Sequence, residues 1–279
     1  MIENDIKGRR ALVTGASSGM GTAFARVLAS WGADLVITAR RRVRLEQVAA
    51  EIRGAHGVQV TILEADLSQP GSASALWQAA TADGPVDVLI NNAGFGLYER
   101  YTDSPWERQA EMIQLNVTSL AELAHRFTTA ALGHERRAWM LNVASIAAFQ
   151  AVPYMASYAG TKAYVHVFSE SLAHELRGTN VSVTCLCPGG VRTEFSEVAG
   201  QNLDNIGRVA QASMMEPTEV AERGLRAMLR RRRTVVTGGI NRFNSFMLRF
   251  LPRRVPASVS VKILGKPAPA ALPPGPRER

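Results

Sequence analysis

Cysteine is nearly absent: Cys185 and Cys187 are the only two in 279 residues. That excludes a disulfide framework and points to a reducing compartment, the cytoplasm. Their one-residue spacing inside the apolar run 181–187 fits strand packing, not metal ligation. No stretch reaches the roughly 18 uninterrupted apolar residues that a membrane-spanning helix needs. Residues 1–10 carry charges of both signs and no apolar core, so neither an export signal nor a span is expected. The histidines, His56, His125, His134, His166 and His174, show no ligand spacing, and no metal is expected. Acidic residues are scarce at one end. Residues 226–279 hold thirteen Lys or Arg against one acid, Glu278, a balance of +12, whereas residues 1–225 stand at −4. The net charge of +8 is thus a property of the C-terminal end. Its cluster Arg230 to Arg233 has no interleaved aromatics and no recognition motif, so a nucleic-acid partner is not expected.

What is present is a chain that can bury a full core, 46% hydrophobic and 20% charged. Seven short β-rich apolar runs, 11–14, 35–38, 58–63, 86–90, 139–143, 181–187 and 235–237, alternate with stretches long enough for crossover helices. The runs are continuous in hydrophobicity, not alternating, which marks strands covered on both faces. A doubly wound, Rossmann-like α/β fold is expected, with a seven-stranded, mainly parallel sheet and helices on both faces. Residues 1–239 are read as one catalytic domain and 240–279 as a basic amphipathic extension, its end, 266–279, rich in Pro, Ala and Gly and frayed.

The first run leads into Gly15-Ala16-Ser17-Ser18-Gly19-Met20-Gly21 and then a helical stretch, 22–30. A glycine loop between a strand end and a helix start presents backbone N–H groups and the positive helix end to a pyrophosphate. The spacing is G-x-x-x-G-x-G, distinct from the general G-x-G-x-x-G fingerprint. After the second run, a carboxylate would bind the adenosine ribose 2′-OH of NAD. Ala39-Arg40-Arg41-Arg42 stands there instead. A guanidinium pairs with a 2′-phosphate, so NADP is favoured over NAD, with Arg40 ranked ahead of Arg41. The competing reading, a solvated start to the helix 41–53, leaves the missing acid unexplained.

Tyr158-Ala159-Gly160-Thr161-Lys162 opens a helical stretch to about residue 177, and its i, i+4 pair projects from one face. A phenol titrates near pH 10. A nearby ammonium is expected to lower that value and make Tyr158 usable as a proton donor or acceptor. Ser145 lies thirteen residues earlier, past the end of the run 139–143, at the sheet edge where sites of such folds form.

With Asn91-Asn92-Ala93-Gly94 after the fourth run, these motifs stand in an order that resembles the short-chain dehydrogenase/reductase family, over residues 7–237. The resemblance implies Tyr158 as general acid/base, Ser145 as the hydrogen-bond partner of the substrate oxygen, and Lys162 as the holder of the nicotinamide-ribose hydroxyls. It implies that Asn116 holds a water linking the lysine to solvent, although a buried amide satisfied by backbone is also compatible with the sequence. It places Gly15, Ser17, Ser18, Gly19, Met20 and Gly21 on the phosphates, and Asp66 with Leu67 at the adenine. Asn92, Ala93 and Gly94 fall along the adenosine half, and Pro188, Gly189, Val191 and Thr193 against the nicotinamide carboxamide. The implied activity is hydride transfer between NADPH and a ketone or aldehyde, giving an alcohol, in a homodimer or homotetramer paired through 105–132 and 155–177. A 3-oxoacyl thioester reductase and a non-catalytic NADP-binding sensor or assembly protein are the rival readings.

Residues 195–215, with Gly200, Gly207, Met214 and Met215, occupy the family's variable substrate lid. Phe95, Phe149, Val152, Tyr154, Phe195 and Met214 are candidates to line an apolar pocket, and ordinary packing explains each equally well. Farther on, Phe243, Phe246, Met247, Phe250 and Leu251 form a helical apolar stripe in 240–251, flanked by Arg242, Arg249, Arg253 and Arg254. Packing on the body, a subunit contact and an anionic membrane surface are three open readings of it.

Overall fold

Runs rich in aliphatic and β-branched residues become the strands β1 (Arg10–Thr14), β2 (Asp34–Ala39), β3 (Val60–Glu64), β4 (Val88–Asn91), β5 (Ala138–Val143), β6 (Val181–Cys187) and β7 (Thr234–Val236). The computed structural model describes residues 2–200, 214–252 and 254–264. Neighbouring strands pair in parallel in the order β3-β2-β1-β4-β5-β6-β7. The chain therefore winds outward one way from β1 and the other way from β4. The crevice between those two strand ends is the point at which doubly wound sheets bind ligands.

The helices are α1 (Gly19–Ser30), α2 (Arg42–His56), α3 (Ser72–Thr81), α4 (Trp106–Ile113), α5 (Leu120–Leu132), α6 (Ala156–Glu175), the short α7 (Phe195–Val198), α8 (Pro217–Leu229), α9 (Gly239–Met247) and α10 (Arg254–Leu264). On one face of the sheet Phe24 and Leu28 of α1, Leu45 and Ile52 of α2 and Leu225 and Met228 of α8 pack on Val13, Ile37, Ile90 and Leu141. On the other, Leu76 and Trp77 of α3, Leu123 and Phe127 of α5 and Leu176 pack on Leu12, Val36, Leu89 and Met140. Successive strand residues point to opposite faces, which is why the runs had to be apolar throughout. Between α4 and α5 the chain opens into a π-helical turn, Gln114–Ser119. Among the described residues no helix is long and apolar enough to cross a membrane, and no cluster of three or more His, Cys, Asp or Glu side chains is placed to hold a metal ion.

The tail departs from expectation. Its helix stops at Met247, a 3-10 turn covers Leu248–Phe250, and the apolar stripe faces outward. Phe243, Phe246 and Phe250 are 62%, 52% and 69% exposed, whereas the polar Asn241 and Ser245 are buried. The polar Asn241 and Ser245 meet the body most closely, while Phe243 and Phe246 stand along the groove that Phe149 and His166 line, and Met247 is half-buried. Residues 201–213 of the expected lid, with Gly207, and also Arg253 and 266–279, lie outside the described residues.

Candidate active site

The glycine loop closes on itself at the end of β1. A Cβ on Gly21 would stand 2.0 Å from the Gly15 carbonyl oxygen, and one on Gly15, whose φ is +69°, would stand 2.9 Å from Asn92 Nδ2. Backbone is thus packed where side chains cannot enter. Helix α1 begins at Gly19, so Met20 and Gly21 belong to its first turn. Ser18 precedes it in extended conformation with no side-chain cap, leaving the positive end of α1 to an anion. Thr14 fixes the floor: its Oγ1 donates to Ile90 O (3.2 Å) and accepts from Asn92 N and Ala93 N (both 3.0 Å). Asn92 Nδ2 returns a bond to Thr14 O (2.9 Å). From the far side, the segment Pro188 to Thr193 comes over the loop, and a Cβ on Gly19 would meet Thr193 Cγ2 at 3.0 Å. A parallel bridge between Val191 and Met215 and the Ile146 N to Pro188 O bond (2.9 Å) hold that segment. A cradle of bare backbone at a helix start is what a dinucleotide pyrophosphate requires, and these residues fit one.

At the mouth of the cradle the two arginines divide. Arg41 reaches across to Ser17 Oγ (3.4 Å) and pairs with Glu194 Oε2 (3.0 Å). Arg40 lies within electrostatic range of Asp66. Burial alone would raise the Asp66 carboxyl, but the Ser68 hydroxyl and N–H together with Arg40 hold it below its ordinary value. Of the two, Arg41 is the guanidinium that touches the glycine loop, and Arg40 the one beside the adenine-side acid.

Along β5 and α6, three more side chains converge. Tyr158 and Lys162 lie in the first two turns of α6, both buried, and the Lys162 Nζ sits 5.8 Å from the Tyr158 ring centre. Ser145 opens the turn after β5, where its Oγ accepts from Ala147 N (3.1 Å), and its hydroxyl stands near enough to Tyr158 to moderate the phenol. Lys162 Nζ donates to Val143 O (2.9 Å). Burial pushes the Tyr158 phenol up to about 12, opposed by the Ser145 hydroxyl. Burial also pulls the Lys162 ammonium down to about 8. The expected lowering of the phenol by Lys162 is thus absent from the protein alone: desolvation prevails, and the group that opposes it is Ser145, not the ammonium. A buried, neutral phenol is a proton donor at neutral pH.

Asn116 sits in the π-turn, fully buried. Its Nδ2 donates to Phe95 O (2.9 Å) and Thr161 Oγ1 (3.1 Å), and its Oδ1 accepts from Phe95 N (3.2 Å). The amide is satisfied by the Phe95 backbone and the Thr161 hydroxyl. It still borders the lysine: a Cβ on Gly94 would lie 2.9 Å from Asn116 Oδ1 and 3.4 Å from Lys162 Nζ. π-turns of this kind concentrate at functional sites.

The sequence model of the short chain dehydrogenase family matches residues 9–204. The chain belongs to that family. Among solved structures, the short-chain dehydrogenase resembles a 7β-hydroxysteroid dehydrogenase studied for stereoselectivity, at 25% identity and TM-score 0.82, over 93% of this chain and 99% of that one. A family member from Burkholderia phymatum in complex with NAD aligns at 29% identity and TM-score 0.78, over 87% and 93% of the two chains. One from Sphingobium yanoikuyae in complex with NADPH aligns at 29% identity and TM-score 0.77, over 94% and 99%. The family uses a nicotinamide dinucleotide, and its neighbours here include both kinds.

In this short-chain dehydrogenase the pocket candidates separate. Phe95, Val152, Tyr154 and Phe195 gather around Tyr158, joined by Leu97, Tyr98, Met112 and Met155, which the sequence reading missed. Phe195 stacks obliquely on the Tyr158 ring at 5.4 Å. Gly96 was missed as well. A Cβ there would meet Phe195, Met155 and Tyr158 atoms at 3.0–3.2 Å. Phe149 does not belong to the cluster. It turns the other way, against the His166 ring (4.7 Å) and Val236, and lines a groove between α6, β7 and α9. Met214 packs against Gly190 of the segment after β6 and is not part of the cluster around Tyr158. Two further positioning groups carried no motif. Thr161 Oγ1 bridges Asn116 to Tyr158 O, and Asn241 of α9 packs against Gly189.

Proposed function

We propose that this short-chain dehydrogenase reduces a ketone or aldehyde to the alcohol with NADPH. The observation that carries the reading is a buried phenol held neutral beside Ser145, one helical turn from a buried ammonium. Bound in the cradle, the reduced nicotinamide supplies the hydride. Ser145 and Tyr158 take the substrate oxygen by hydrogen bonds, and Tyr158 O–H delivers the proton as negative charge grows there. Lys162 holds the ribose hydroxyls and stabilises the phenolate that the transfer leaves. Asn116 keeps Phe95 and Thr161 in register, and through Thr161 fixes the start of α6. Gly15, Ser17, Ser18, Gly19, Met20 and Gly21 hold the pyrophosphate, with Asp66, Leu67, Asn92, Ala93 and Gly94 along the adenosine and Pro188, Gly189, Val191 and Thr193 at the nicotinamide. Arg41 and Arg40, with no acid at the end of β2, support the 2′-phosphate and hence NADP. The aromatic and aliphatic lining around Tyr158 suits a bulky apolar carbonyl compound, in keeping with the likeness to a hydroxysteroid enzyme.

The test follows NADPH absorbance over a panel of cyclic ketones, aldehydes and acyl thioesters. Turnover of ketones supports the reading. Turnover of thioesters alone moves the activity to an acyl reductase, and cofactor binding with no turnover on any member favours a non-catalytic role.

A further inference from the structure

We infer that the segment after β7 is a membrane-surface anchor, in which α9, the turn after it and α10 press an apolar row into an anionic bilayer. The inference stands apart from the proposed reaction and rests on an inverted helix. An amphipathic helix on a protein surface normally buries its apolar stripe. Helix α9 does the reverse. Asn241 and Ser245, one turn apart, face the body, and Asn241 Nδ2 donates to Thr237 O at 3.0 Å. Ile240, Phe243 and Phe246 are 58%, 62% and 52% exposed, the two rings at the rim of the groove that Phe149 also lines, and the Phe250 ring lies edge-on to Phe246 at 5.5 Å. Leu251, and Val255 and Val259 of α10, continue the exposed apolar surface. A contiguous row of this kind marks an interaction site.

Charge selects the occupant. Arg242, Arg249, Arg254 and Lys262 lie among these residues, and 239–264 contain no Asp or Glu. A second copy meeting this face through a two-fold axis would set the same cations against each other. A nucleic-acid duplex would engage the arginines through its phosphates and leave the phenylalanines in water. An anionic bilayer answers both features: acyl chains take the rings, and headgroups take the guanidinium and ammonium groups of the same segment.

The full-length protein is to be sedimented with vesicles of phosphatidylcholine alone and of phosphatidylcholine mixed with phosphatidylglycerol, at low and high salt. It is expected to pellet with the mixed vesicles only, and less as salt rises. Arg249→Gln is expected to lower the affinity about fivefold. The triple variant Phe243→Ser/Phe246→Ser/Phe250→Ser alters only exposed rings, so it is expected to keep its circular dichroism and melting temperature while losing the vesicles. Protein that stays in the supernatant with mixed vesicles overturns the inference. So does binding that the triple variant retains, which would indicate a simple polyanion site. Gel filtration in which the triple variant alone falls to a smaller species, with no vesicle binding by the parent, would assign the face to a second copy instead.

Discussion

Replacing Lys162 by methionine removes an ammonium that is 4% exposed and whose Nζ donates to Val143 O at 2.9 Å. Burial brings it from 10.5 to about 8 in the folded protein, while in the unfolded chain it titrates at the ordinary lysine value. Between those two values the unfolded chain binds a proton that the folded one has released, so the stability of the parent rises with pH across that window. The gain is absent below about pH 8 and complete above the unfolded value, and its size is about 3 kcal/mol. Methionine has no proton to exchange, and the other titrating groups are common to both proteins. The difference in unfolding free energy between parent and Lys162→Met is therefore expected to move by about 3 kcal/mol in favour of the parent as pH rises through the window. Urea unfolding of both proteins at a series of pH values measures it. Parallel stability curves would refute the burial argument for this lysine. Activity runs the opposite way, because the reaction uses the charged form: kcat/KM for reduction is expected to fall above about pH 8.

Arg41→Ala and Arg40→Ala are each expected to raise the KM for NADPH about ten- to a hundredfold, since a charge-assisted bond contributes roughly 1.5–3 kcal/mol, with little change for NADH. Equal effects on the two cofactors would remove the 2′-phosphate from the argument. Gly21→Ala puts a methyl 2.0 Å from the Gly15 carbonyl oxygen, so the cradle must open, and NADPH affinity by fluorescence titration is expected to fall at least about tenfold. An unchanged affinity would show that the loop is not the phosphate site.

The strands were legible because a doubly covered sheet demands continuous apolar runs, and β6 falls on 181–187 as read. The start of α1 was not. Glycine is a poor helix former, so Gly19 to Gly21 read as loop, yet close packing against Gly15 and Thr193 draws them into the first turn. Local motifs revealed Ser145, Tyr158 and Lys162 as a set, but not the protonation of the phenol, which burial decides. Phe149 and Phe95 look alike in sequence, and only the direction of the turn after β5 separates them. The period of the tail stripe was readable. Its outward orientation was not, because it depends on what Asn241 and Ser245 meet on the body. The π-turn at Asn116 has no periodic signature.

The most direct measurement compares NADPH oxidation by the parent and by Tyr158→Phe on one accepted ketone, with cofactor affinity measured alongside. A fall in kcat of about a hundred- to ten-thousandfold, with NADPH binding retained, is expected if the buried phenol delivers the proton. Full turnover by the phenylalanine variant would contradict it.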